Sequence, residues 1–163
     1  MLHIKETFDL MGGELDRSEA YTYALPVLEQ VLAENPSIEV VIDLHRDGVD
    51  EDKHLVTEIN GKPTAQVMFF NGLSRTVNNG SLDSLPNPYI SDNLAFSFQL
   101  SYQAAKYYPH FTRCIYLKGY RYNLHVRPKS ILLEVGAQTN TVQEAMNAME
   151  PFSVILNKVL KGE

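Results

Sequence analysis

NPSIEVVIDLHRDG, residues 35–48, leaves a helix-stopping Asn-Pro-Ser and enters IEVVIDL, a run largely apolar on both of its faces. Such a run reads as a strand of a parallel sheet covered by helices on both sides. Its carboxyl end then carries Asp43, His45, Arg46 and Asp47. Open α/β sheets bind ligands at the carboxyl ends of their strands, so four ionisable groups there mark a candidate site.

Working outward, helix and strand signals alternate. Residues 16–34 place Ala20, Tyr23, Ala24, Val27, Leu28, Val31 and Leu32 at the spacing of an amphipathic helix, with a kink or break expected at Pro26. Weaker strands are expected at 54–59 and 65–70 around an Asn60-Gly61 hairpin turn. The Asn-, Ser-, Gly- and Pro-rich stretch 72–88 reads as a mobile surface loop. A second helix spans 90–108, capped by Ser91 or Asp92 and stopped by Pro109. A short strand at 113–117 and the almost wholly apolar ILLEVG, residues 131–136, follow. The last helix starts at Thr141, which forms a capping-box pattern with Glu144, and runs to Lys161 with Ala145, Met149, Phe152 and Leu156 toward the sheet. The expectation is one α/β domain over residues 1–163, with no internal repeat.

Composition narrows the function classes. With 163 residues, a net charge of −6 and no basic run, the chain offers little to a nucleic acid, whose phosphates need clustered Lys and Arg. The single cysteine, Cys114, cannot form an internal disulfide. No apolar stretch reaches membrane-spanning length, and the opening MLHIKETFDL lacks a signal-peptide pattern, so the chain reads as soluble as given, with any anchor upstream of Met1.

Within the apolar strand 131–136, Glu134 is costly to bury unless it is paired or its pKa is raised, and a raised pKa suits a general acid or base near neutrality. His45 supplies an imidazole able to ligate a metal or shuttle a proton. A structural reading stands beside the catalytic one: His45 hydrogen-bonded to its neighbouring aspartates, and Glu134 salt-bridged to Arg46.

The stretch NPSIEVVIDLHRDG, the segment IYLKGYRYNLHVRPKSILLEVGAQTNTVQEA and the preceding helix with Arg17 and Ser18 resemble the carboxyl-terminal part of the stage II sporulation protein P family. The most specific parts are the D-x-H-R-D strand end and the L-L-E-V-G strand leading to N-T-x-x-E-A. The resemblance implies a zinc-dependent N-acetylmuramoyl-L-alanine amidase with a mostly parallel twisted sheet flanked by helices. It makes His45 a zinc ligand, Glu134 the catalytic carboxylate, and Arg46 and Asp47 supporting residues. The implied reaction cuts the amide between the lactyl group of N-acetylmuramic acid and L-alanine in peptidoglycan, with endopeptidase action described for some members. Implied partners are peptidoglycan and, in engulfment, a membrane-bound complex that includes stage II sporulation protein D. Family members are membrane-anchored with the catalytic domain outside the cytoplasm.

One part of the family pattern is missing. Its first metal-binding motif, an H-T-H-T-like run ending in glutamate, precedes the helix that begins this chain, so two of three expected zinc ligands and the family's first strand are not found here. The expected domain is therefore amino-terminally incomplete relative to the family. A sheet edge left open in this way makes a homodimer an option. Of the remaining histidines, His125 is the one expected near the site, and it and Asn123 are candidate substrate contacts. The alternative to an amidase is an inactive relic of the fold that binds cell wall or a protein partner. A serine hydrolase finds no support, since no G-x-S-x-G elbow is present.

Overall fold

The computed structural model describes residues 1–11 and 13–163, which fall into two compact units, Met1–Glu39 and Val40–Glu163. In the first, β1 (Leu10–Met11) pairs antiparallel with β2 (Glu14–Leu15), and α1 follows at Ala20–Glu34. The helix starts at Ala20, the first apolar position of that spacing and four residues inside the expected stretch 16–34, because Asp16 accepts hydrogen bonds from the Ser18 amide and hydroxyl, at 3.0 and 2.6 Å, and so holds a local turn. Pro26 lies inside α1, which runs through it without a break.

The second unit contains β3 (Val41–Asp47), β4 (Val56–Ile59), β5 (Lys62–Ala65), β6 (Val67–Gly72), β7 (Arg75–Thr76), β8 (Gly80–Ser81), α2 (Ile90–Tyr107), β9 (Thr112–Lys118), β10 (Ser130–Ala137) and α3 (Val142–Lys161). Four of these strands form the main sheet in the order β3-β10-β6-β9. The β3/β10 and β6/β9 pairs are parallel and the central β10/β6 pair is antiparallel, so the sheet is mixed, with two of its three pairings parallel. The other strands make small antiparallel pairs. In β4/β5, Asn60 and Gly61 both take positive φ, 52° and 74°, as a two-residue hairpin turn requires. The expected strand 65–70 is divided at Gln66 between this hairpin and the main sheet.

The alternation of β6 and β10 builds the core. Val67, Phe69, Ile131, Leu133 and Val135 face one side, where Phe96, Leu100 and Ala104 of α2 and Ala148, Phe152 and Ile155 of α3 close over them. Each such large side chain contributes roughly 1.5–3 kcal/mol on burial. Ala145, Met149 and Leu156 pack at the margin of this cluster, as the helical spacing of 141–161 implies. Helix α2 has Tyr89 as its N-cap residue with no side-chain cap, so neither Ser91 nor Asp92 has the expected role. Asn93 instead fixes that end: its Nδ2 donates to Leu124 O at 2.6 Å and its Oδ1 accepts from Ser130 N at 2.9 Å.

The strand that decided the sequence reading behaves differently from expectation. It runs to Asp47, three residues beyond the apolar run, and it is an edge strand whose Leu44 is 59% exposed. The ionisable residues therefore lie within the strand. Period-two alternation puts Asp43, His45 and Asp47 on the sheet face opposite the helical core, and Arg46 on the other.

Candidate functional site

Glu134 of β10 is directly opposite His45 of β3 on one side and Met68 of β6 on the other. Its residue exposure is 9%, and its Oε2 is buried without a hydrogen-bond partner. Desolvation raises its carboxyl above the ordinary range, opposed by the charge of His45 and reinforced by that of Asp47. His45 Nε2 donates to Asp43 Oδ1 at 3.0 Å. That bond raises the imidazole above its usual value against the opposing effect of burial, with the charges of Asp43 and Glu134 adding to it. An acid/base pair thus spans two neighbouring strands, with Glu134 Oε2 left unpartnered.

Irregular backbone flanks the pair. Between Glu134↔His45 and Ala137↔Asp47, β10 spends two residues, Val135 and Gly136, opposite Arg46 alone. Gly136 adopts φ 61°, and a Cβ there would stand 2.5 Å from Asn140 Oδ1. Only glycine meets both demands. Beyond it, Arg46 donates to Ala137 O from Nε at 3.1 Å and from Nη2 at 2.7 Å, and also to Asn140 O. Arg46 thus tethers the turn after β10 and does not make the salt bridge to Glu134 that the structural reading expected. Asp47 shares the site face and accepts from Arg113 Nη2 at 2.6 Å.

The loop from Gly119 to Lys129 lies on the same face. Leu124 packs on Phe70 and Leu132, the latter two residues before Glu134, and Tyr122 meets Phe70 edge to face at 4.8 Å between ring centroids. Tyr122 and Asn123 are both left-handed, φ 50° and 53°, the conformation that tucks Leu124 inward. His125 Nδ1 is buried without a partner, and burial, then the charge of Arg121, push its imidazole down to about 4. Its Nδ1 thus makes no hydrogen bond to His45 or Glu134. Arg113 and Met68 complete the face, and sequence reasoning passed over both. An arginine opening an apolar strand is the one signal that could have pointed to the first.

The turn after β10 is a separate polar cluster. Asn140 Oδ1 accepts from Ala137 N at 2.9 Å, and its Nδ2 donates to Leu55 O at 3.1 Å and Glu144 Oε2 at 3.0 Å. Thr141 and Glu144 form the predicted capping box, and His54 Nε2 donates to Glu144 Oε2 at 2.8 Å. Desolvation pushes the Glu144 carboxyl up, and the bonds from His54, Asn140 and Thr141 N more than reverse it, to about 2. The N-T-x-x-E part of the sequence signature is thus a helix cap.

A catalytic zinc ion asks for three protein ligands and an open position. Among the described residues, no group of three or more His, Cys, Asp and Glu side chains converges on a metal position, so the residues present do not by themselves fit that ion. Nor is any described helix long and apolar enough to cross a membrane.

The sequence model of stage II sporulation protein P matches residues 2–157. Stage II sporulation protein P of Bacillus subtilis (strain 168) is 27% identical over 150 residues, covering 89% of this chain and 34% of its own length. The chain therefore spans about a third of that relative. No solved structure matches.

Proposed function

Because the chain belongs to the stage II sporulation protein P family, and so to sporulation, we propose that it carries the Glu134 half of a peptidoglycan amide-hydrolysing site. The bond would be the one between the lactyl group of N-acetylmuramic acid and L-alanine. The observation that carries this reading is Glu134 itself: a buried carboxylate with an unpartnered Oε2, its proton affinity raised, beside a histidine. A group tuned in that direction takes a proton well near neutrality. In the proposed step Glu134 takes a proton from water as the water oxygen bonds to the amide carbonyl carbon. The same proton passes to the amide nitrogen as the C–N bond breaks, leaving a lactyl carboxylic acid and a free L-alanyl amine.

His45 is the residue we assign to zinc, and further ligands would have to join it, so no step above runs through the metal. Stage II sporulation protein D and an engulfment complex are the partners we infer from the family. The incomplete ligand set among the described residues favours one other reading, a wall-binding relic. Purified peptidoglycan incubated with the protein, with zinc content per chain measured in parallel, separates the two. New L-alanyl amino termini that vanish with Glu134→Gln support the amidase. Wall binding without cleavage in the presence of zinc supports the relic.

A further inference from the structure

A second bulge lies across the sheet from the first. Between Val67↔Thr112 and Phe69↔Ile115, β9 places two residues, Arg113 and Cys114, opposite Met68 alone. Thr112 stands opposite Val67 on the core side, so alternation puts Arg113 on the Glu134 face beside Met68, and the bulge takes up Cys114 before Ile115 pairs with Phe69. Its Nη2 reaches Asp47 Oδ2 at 2.6 Å and Met68 Sδ at 3.1 Å. Asp47 belongs to β3 and Arg113 to β9, the two edges of the sheet. Strands stand ~4.8 Å apart, so the guanidinium crosses both β6 and β10 to make that bond. It lies over Met68, the residue directly opposite Glu134.

The pairing leaves donors over. Arg113 Nε is buried without a partner, and a thioether is a weak acceptor, so among the described residues Asp47 is the one strong acceptor this guanidinium has. Glu134 Oε2 is in the complementary state, an acceptor with no donor. Asp47 takes Nη2 of the guanidinium, whose charge also acts on the Glu134 carboxyl and opposes its rise, while Arg113 Nε and Glu134 Oε2 stay without partners on one face.

We propose that Arg113 is a further catalytic residue of this site, donating to the carbonyl oxygen of the amide whose attacking water is held by Glu134. A ligand of that chemistry brings an oxygen acceptor to the partly exposed guanidinium and an O–H donor to the glutamate carboxylate. Negative charge grows on the carbonyl oxygen as the water adds, and a fixed guanidinium stabilises it there. This assignment rests on the amide-hydrolase reading above.

The test uses a soluble N-acetylmuramoyl-L-alanyl peptide with the zinc-equilibrated protein. Arg113→Ala should lower kcat about a hundredfold with KM within a few-fold, the usual size for losing one oxyanion donor. Added guanidinium ion should restore part of kcat. If Arg113→Ala fails to fold because Asp47 is left unpaired, the Arg113→Ala/Asp47→Asn double variant removes that charge and should show the same loss. In the wild type, the Arg113 Nε resonance should shift when the peptide binds. Unchanged kcat in either variant, or peptide binding that leaves Nε unmoved, overturns the assignment of Arg113 while leaving Glu134 standing. No cleavage and no binding of the peptide by wild type overturns the amide-hydrolase reading itself.

Discussion

Two glutamates, ten residues apart, both sit beside a histidine and are both buried, yet they titrate in opposite directions. Glu144 accepts from His54, Asn140 and Thr141 N and is held down to about 2. Glu134 keeps Oε2 unpartnered and is raised. Burial alone does not separate them; the number of donors converging on the carboxylate does. A saturated carboxylate is scaffold, because its acceptor capacity is used inside the fold. An unsaturated one costs stability and is available to an incoming ligand. The same contrast applies to the histidines: His54 serves the cap, and His45 stands next to the unsaturated partner.

The comparison is broken most decisively through Glu134. Glu134→Gln should reduce peptidoglycan cleavage roughly a thousandfold, the range expected for a lost general base, without lowering thermal stability. An inactive but destabilised variant would move Glu134 to the scaffold class. The next largest effect is on the backbone between the two regions. Gly136→Ala puts a Cβ against Asn140 in a left-handed residue and should cost about 3 kcal/mol in chemical denaturation. Loss of less than a third of that would mean the bulge is not rigid.

Glu144→Ala should cost about 2 kcal/mol by removing the capping box and leaving Asn140 and His54 short of an acceptor. Cleavage measured per folded molecule should survive it. Smaller, and opposite in sign, are the pH effects. Glu144 titrates lower in the folded chain than in the unfolded one, so its contribution is full above about 4.5 and drains as pH falls toward about 2. Glu134 titrates higher when folded, so above the ordinary carboxylate range the unfolded chain ionises first and stability falls as pH rises. Unfolding midpoints of Glu134→Gln and wild type should therefore agree in acid and separate toward neutrality, the variant being the more stable. His125, down at about 4 and buried, adds a loss of stability as pH falls from 6.5 to about 4 that His125→Gln should flatten.

Much of this was readable in the chain. The apolar run 131–136, the helical spacing of 90–108 and 141–161, the Asn60-Gly61 turn and the Thr141–Glu144 cap all follow from local patterns that tertiary structure left in force, whereas of the run 38–44 only its second half enters a strand. His45 and Glu134 could be paired because each ionisable group interrupts or ends an apolar strand, and two such strands in one sheet bring their exceptions together. What the sequence hid is register. The main sheet's central pairing is antiparallel, a choice made by which strand lies next to which and not by any composition. The edge position of β3 also escapes local reading, since IEVVIDL has the composition of a central strand. Arg113 was invisible for the same reason: it reaches this face because β9 lies beside β6 with Thr112 opposite Val67. The structural alternative of an Arg46–Glu134 salt bridge is not formed, because Arg46 and His45 are neighbours in sequence and so face opposite sides.

The most direct test follows the two side-chain carboxyl groups by carbon-13 NMR through a pH titration of the folded protein, assigned with Glu134→Gln and Glu144→Gln. Glu134 should titrate above the ordinary glutamate range while Glu144 stays ionised down to about 2. Titration of Glu134 at or below the ordinary range would mean that its oxygens are satisfied, and the claim that this face holds an unspent carboxylate would be wrong.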